Sequence, residues 1–179
     1  MNRSAMNTND HVAVHPSVGW KCSTCGKLII RIADGWVEWL ASEDEYGTAR
    51  LKGLRLVHRL GAGGSQRGPC QYDERREFHR DQSIVEGLPL ERFVGADGLM
   101  LLLSLIAQSE MPRAEVLELA KRVQIPGYEQ TRDLFHQAIG VGIVAPLIGE
   151  GFYMQSEIQE LLRWVMGEVH FSSQPQSET

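Results

Sequence analysis

The pair Cys22-Ser-Thr-Cys25, followed at once by Gly26-Lys27, constrains the N-terminal half of this chain more than any other feature. Two thiols two residues apart can grip one tetrahedral ion, and the glycine behind them permits the tight backbone return of a zinc-knuckle turn. Such a pair is half a site. Cys70 is the one cysteine left to supply a third donor. Histidine should supply the fourth: His58, at the end of a basic strand, is favoured over His79, and His11 and His15 in the N-terminal tail are less suited. The spacing becomes Cys-x2-Cys-x32-His-x11-Cys, which matches no standard finger. An odd number of cysteines, with no apolar export segment in the first twenty residues, argues against a disulfide framework and for a reducing, cytoplasmic setting. The bland alternative is that the cysteines are small buried hydrophobes. The difficulty of stabilising a small β module without a staple favours zinc. Four protein donors leave no open position for water, so the expected metal is structural and no hydrolysis is expected.

The chain has 179 residues, enough for one good core or two small ones. Its pattern predicts an α+β protein. Residues 1–17 have no sustained period and read as a tail, and residues 18–80 read as the zinc-binding β module. Within that module, Lys27–Ile32, the Ala33-Asp34-Gly35 turn and Trp36–Leu40 suggest a hairpin. A third strand with a basic face runs through Leu54, Arg55, Leu56 and Arg59. Residues 81–95, broken by Pro89 and Gly95, read as a connector.

From residue 96 the period is helical. Asp97 is placed to cap a helix from Gly98 to about Gln108, and Pro112 suits the start of the next. That second helix carries an apolar stripe at Val116, Leu119, Ala120 and Val123. A third helix is expected from Tyr128 to Ile139, stopped by Gly140. Two short β-like runs follow, Val141–Ala145 and Gly151–Met154, and then an amphipathic helix over Gln155–Met166. Residues 168–179 read as a second tail. In element order, residues 96–167 resemble a winged helix-turn-helix, which implies that the helix from Tyr128 is the recognition helix. Its outward residues, Glu129, Gln130, Arg132, Asp133 and His136, are not basic, so a protein-binding role gains weight.

Charge is unevenly divided. Residues 1–80 hold twelve Lys and Arg against nine Asp and Glu, whereas residues 81–179 hold six against fourteen. Within 50–80, Arg50, Lys52, Arg55, Arg59, Arg67, Arg75 and Arg76 form a candidate phosphate-contacting set, with Tyr72 and Phe78 as stacking candidates. Against this stands a merely solvating face. His79-Arg80-Asp81 lacks the downstream Asn of a kinase catalytic loop, and Gly61–Gly64 lacks the Lys-Ser/Thr of a nucleotide loop. The expected function is therefore non-enzymatic. A zinc-stabilised nucleic-acid-associated protein comes first, and an adaptor or dimerising subunit that docks a protein through its helices comes second. Neither a membrane nor a small-molecule substrate is expected.

Overall fold

The computed structural model describes residues 19–61, 70–108, 110–149 and 151–166. Both expected tails and Arg67, His11 and His15 fall outside the described residues. The chain is mixed α+β. A short antiparallel pair, β1 (Trp20–Lys21) and β2 (Leu28–Ile29), flanks the Cys22–Cys25 turn. A three-stranded antiparallel sheet follows, with β3 (Gly35–Glu43) between β4 (Ala49–His58) and β5 (Ile84–Pro89). Helix α1 (Glu74–Asp81) leads into β5. Then come α2 (Gly95–Gln108), α3 (Arg113–Gln124), α4 (Tyr128–Thr131), α5 (Phe135–Gly140) and α6 (Gln155–Val165).

Several expectations are corrected. The hairpin expected across Asp34-Gly35 does not form, because residues 32–34 make a 3-10 turn and β2 pairs with β1. Gly35 serves packing here, since a Cβ on it would lie 2.5 Å from Leu90 Cδ2. The true hairpin is β3–β4, closed by Asp44, whose carboxylate accepts from the Tyr46 and Thr48 amides at 3.0 and 2.9 Å. Residues 84–89, expected to be connector, are an edge strand. Pro89 is tolerated at such a strand's end, and Gly87 is required because the Trp36 indole lies over it. The expected third helix is interrupted between α4 and α5. The winged helix-turn-helix order is not confirmed. Among the described residues, 141–154 contain a single isolated bridge, Gly149 to Phe152, in place of a two-stranded wing.

Two apolar cores result. The first joins the sheet to the α2–α3 hairpin through Val37, Leu56, Val57, Leu90, Phe93, Leu102, Val116 and Leu119. The α3 stripe read from the sequence supplies its helical side, with Ala120 and Val123 packed against it. The second core, Tyr128, Phe135, Ala138, Val144, Ile158 and Leu161, gathers α4, α5 and α6. No helix among the described residues is long and apolar enough to cross a membrane.

Candidate metal centre

The first donor pair is set by a tight turn between β1 and β2. The Cys22 amide donates to Lys27 O and the Gly26 amide to Cys22 O, both at 2.9 Å, and Gly26 takes a positive φ of 72°. These bonds aim the Cys22 and Cys25 sulfurs to one side. The turn is docked on β4, because the Ser23 amide donates to Leu56 O at 2.8 Å. His58 ends β4 opposite Gly35, which brings its ring beside the turn. The chain returns after residue 69 with Cys70, held by the Thr24 hydroxyl donating to Cys70 O at 2.7 Å.

Cys22, Cys25, His58 and Cys70 thus lie together, with one donor atom of each within 4.8 Å of all the others. Cys25 Sγ and Cys70 Sγ are 3.5 and 3.8 Å from His58 Nδ1. Tetrahedral zinc with Zn–S of about 2.3 Å and Zn–N of about 2.0 Å gives donor separations of roughly 3.5–3.8 Å, the range in which the two sulfur–nitrogen distances fall. His58 Nε2 lies 3.3 Å from Leu28 O. A carbonyl only accepts, so Nε2 carries the proton and Nδ1 presents its lone pair to the sulfurs, the usual arrangement behind a histidine ligand. All three cysteines are free thiols. The histidine alternative is excluded from the cluster by position: His79 sits exposed on α1 beside Phe78.

Electrostatics favour a cation at this point. Burial alone would raise the Cys22 thiol, but the Cys25 and Thr24 amides and His58 outweigh it and bring the group down to about 7. Burial, the Cys25 sulfur and the Cys22 charge push Cys70 up to about 12. Three thiolates in one small volume cannot all ionise unless a positive ion joins them.

Two buried ionic arrangements tie this corner to the rest of the fold. Glu38 on β3 is fully buried and 2.7 Å from Arg55, and its carboxylate also accepts from the Tyr72 amide at 3.0 Å. Arg55 in turn donates to Cys70 O at 3.3 Å, and its guanidinium lies 3.4 Å over the Tyr72 ring. Burial pushes the Glu38 carboxyl up, opposed by Arg55. On the other side Arg122 of α3 pairs with Glu129 of α4 at 2.7 Å, with side chains only 6% and 5% exposed. Arg122 also donates to Lys21 O and, at 3.3 Å, to the Ser23 hydroxyl, while the Lys21 amide donates to Glu129 at 2.7 Å. Glu129 reads in the sequence as an outward-facing charge, and nothing in the sequence alone marks Glu38 or Arg122 as buried.

Of the basic residues singled out from the sequence, four already hold carboxylate partners, Arg55 through Glu38. Arg50 pairs with Asp44 at 3.1 Å, Lys52 with Asp81 at 2.6 Å, and Arg76 with Glu77 at 3.1 Å. Arg59 stacks 5.6 Å over Trp36, and Arg75 lines a hollow between α1 and β5 beside Phe78, His79 and Ile84. Among the described residues, these last two have no carboxylate partner. Scans of protein-family models, curated proteins and solved structures find no match to this chain.

Proposed function

We propose that this chain is a non-enzymatic protein-interaction module whose sheet is stapled by structural zinc on Cys22, Cys25, His58 and Cys70. Three sulfurs and one imidazole nitrogen suit zinc, and a complete set of four protein donors leaves no site for a reactive water. Cysteines that form no disulfide persist where the surroundings are reducing, which supports a cytoplasmic setting.

The observation that carries the adaptor reading is α2. It has one charged residue, Asp97, in fourteen. While Leu102 is fully buried in the first core, Leu99, Met100 and Leu103 remain 42%, 65% and 48% exposed. A helix apolar on all sides is normally buried on all sides, so its outer face fits a protein partner. The nucleic-acid reading is weakened by the ion pairs at Arg50, Lys52, Arg55 and Arg76, which satisfy cations that phosphates would otherwise recruit. It retains Arg59 and Arg75.

Elemental analysis of purified protein should give one zinc per chain, lost in Cys70→Ser and kept in His79→Ala. Affinity purification from the source cells should recover a defined partner with the wild type and lose it with Leu103→Glu, at unchanged zinc content. Identical recovery with Leu103→Glu would remove the adaptor reading. Salt-dependent binding of DNA or RNA, abolished in Arg59→Ala with Arg75→Ala, would restore the nucleic-acid one.

A further inference from the structure

We infer that the outer face of α2 pairs with the same face of a second copy of this chain, the two helices running antiparallel about a two-fold axis. This rests on the interaction-module reading and names its partner.

The exposed residues along one side of α2 are Ala96, Met100, Leu103 and Ala107. Their spacing of four, three and four residues is the a/d seam of helices that mesh side by side. The same spacing reads identically from either end. A two-fold axis passing midway between Met100 and Leu103 therefore sets Met100 of one copy against Leu103 of the other. It also sets Ala96 of one copy against Ala107 of the other. An isologous interface requires this, because residue i must meet j wherever j meets i. Large side chains then face each other in the middle and small ones at both ends, so the helices can approach along the whole stripe. The stripe spans about 16 Å at 1.5 Å per residue. It bears no charge, since Asp97 stands beside it rather than on it. Two copies can therefore close without burying an unpaired ion. Antiparallel helices also bring opposite dipole ends together. Leu99 flanks the stripe and widens it.

A seam this short buries less than the roughly 800 Å² per partner of a standard interface, so the dimer is weak and concentration-dependent. Zinc-loaded protein should run as a monomer at low micromolar concentration and shift toward dimer by about 200 μM in sedimentation equilibrium. Met100→Lys alone and Leu103→Glu alone should each be monomeric throughout. Mixed in equal amounts they should associate again, because the antiparallel register sets the introduced ammonium of one variant against the introduced carboxylate of the other across the axis. The same register leaves one native Leu103–Met100 contact in the mixed dimer.

A wild type that stays monomeric over the whole range overturns the pairing while leaving the adaptor reading to its own purification test. A dimer indifferent to both single substitutions places the contact elsewhere and overturns it too. Single variants that are monomeric and do not recover on mixing overturn the antiparallel register. Unchanged zinc content and circular dichroism in each variant separate lost association from lost folding.

Discussion

The two cores of this protein solve the problem of small size differently. The first is built on a sheet of three strands and is closed by a four-donor cluster at one corner. The second has no such cluster among the described residues and relies on aromatic packing, with Phe135 stacked 3.4 Å from Tyr153 and 6.2 Å from Tyr128. The Arg122–Glu129 pair stands between them and reaches the Cys22–Cys25 turn through Lys21 and Ser23. On the proposed function, an ion held by that cluster would make the first region all-or-none with respect to it, whereas the second should lose stability in proportion to what is removed from it.

Cys22→Ser gives the sharpest separation. Zinc bound in small finger-like sites is worth about 10–16 kcal/mol, comparable with the whole stability of a domain. Zinc content should fall to zero and the β3–β4 amides should lose hydrogen-exchange protection. The α6 amides should keep most of theirs. Full protection of β3–β4 in Cys22→Ser would abolish the contrast between the two cores.

Phe135→Ala attacks the other side. Removing a fully buried ring typically costs about 3–5 kcal/mol, here with the loss of both aromatic contacts. The expected result is an earlier melting step reported by α4–α6, with one zinc per chain retained. Loss of zinc in this variant would mean that the cores are one cooperative unit.

Arg122→Met tests the joint. It leaves Glu129 buried with its charge opposed by Arg132 at 3.3 Å and by the Lys21 amide. The cost should be about 3 kcal/mol, at the lower end for a broken buried pair. Adding Glu129→Leu should recover most of it. Denaturant melts of the wild type, Arg122→Met, Glu129→Leu and the double variant give the coupling, and simple additivity would show that the pair does not join the regions.

The four-donor cluster is legible in the sequence because ligand chemistry admits few residue types and this chain offers few of them. Strands β3 and β4, the α3 stripe and α6 are legible from period alone. What escapes depends on neighbours distant in sequence. Gly35 and Gly87 look like breakers, yet each is small because Leu90 or Trp36 occupies the space beside it. Glu38 shares its strand face with Trp36 and Leu40, and only Arg55 and the Tyr72 amide, brought in by later segments, explain how a carboxylate is buried there. The basic run at 50–76 suggests a phosphate surface because its acidic partners at 38, 44 and 81 lie on other elements.

The smallest expected effect concerns the β3–β4 turn, where the sheet has neither metal nor deep core to hold it. The Thr48 amide, then the Tyr46 amide and Arg50, hold the Asp44 carboxyl below its ordinary value against a lesser cost of burial. Because the folded value is the lower one, the unfolded chain takes up the proton first as pH falls. The contribution of Asp44 is therefore complete above the ordinary carboxylate range near 4 and is lost as pH drops through the folded value. Asp44→Asn should make the protection factors of the hairpin amides, their exchange corrected for the intrinsic pH dependence of amide exchange, nearly flat between about pH 5 and 3, a range over which the wild-type turn loosens. An equally steep acid response in Asp44→Asn would assign the loosening to other groups, either the Asp34, Glu38 and Asp81 carboxyls or the Cys22–Cys70 cluster. Repeating the measurement in Cys22→Ser separates the two, because a response that persists there cannot depend on an ion held by the cluster.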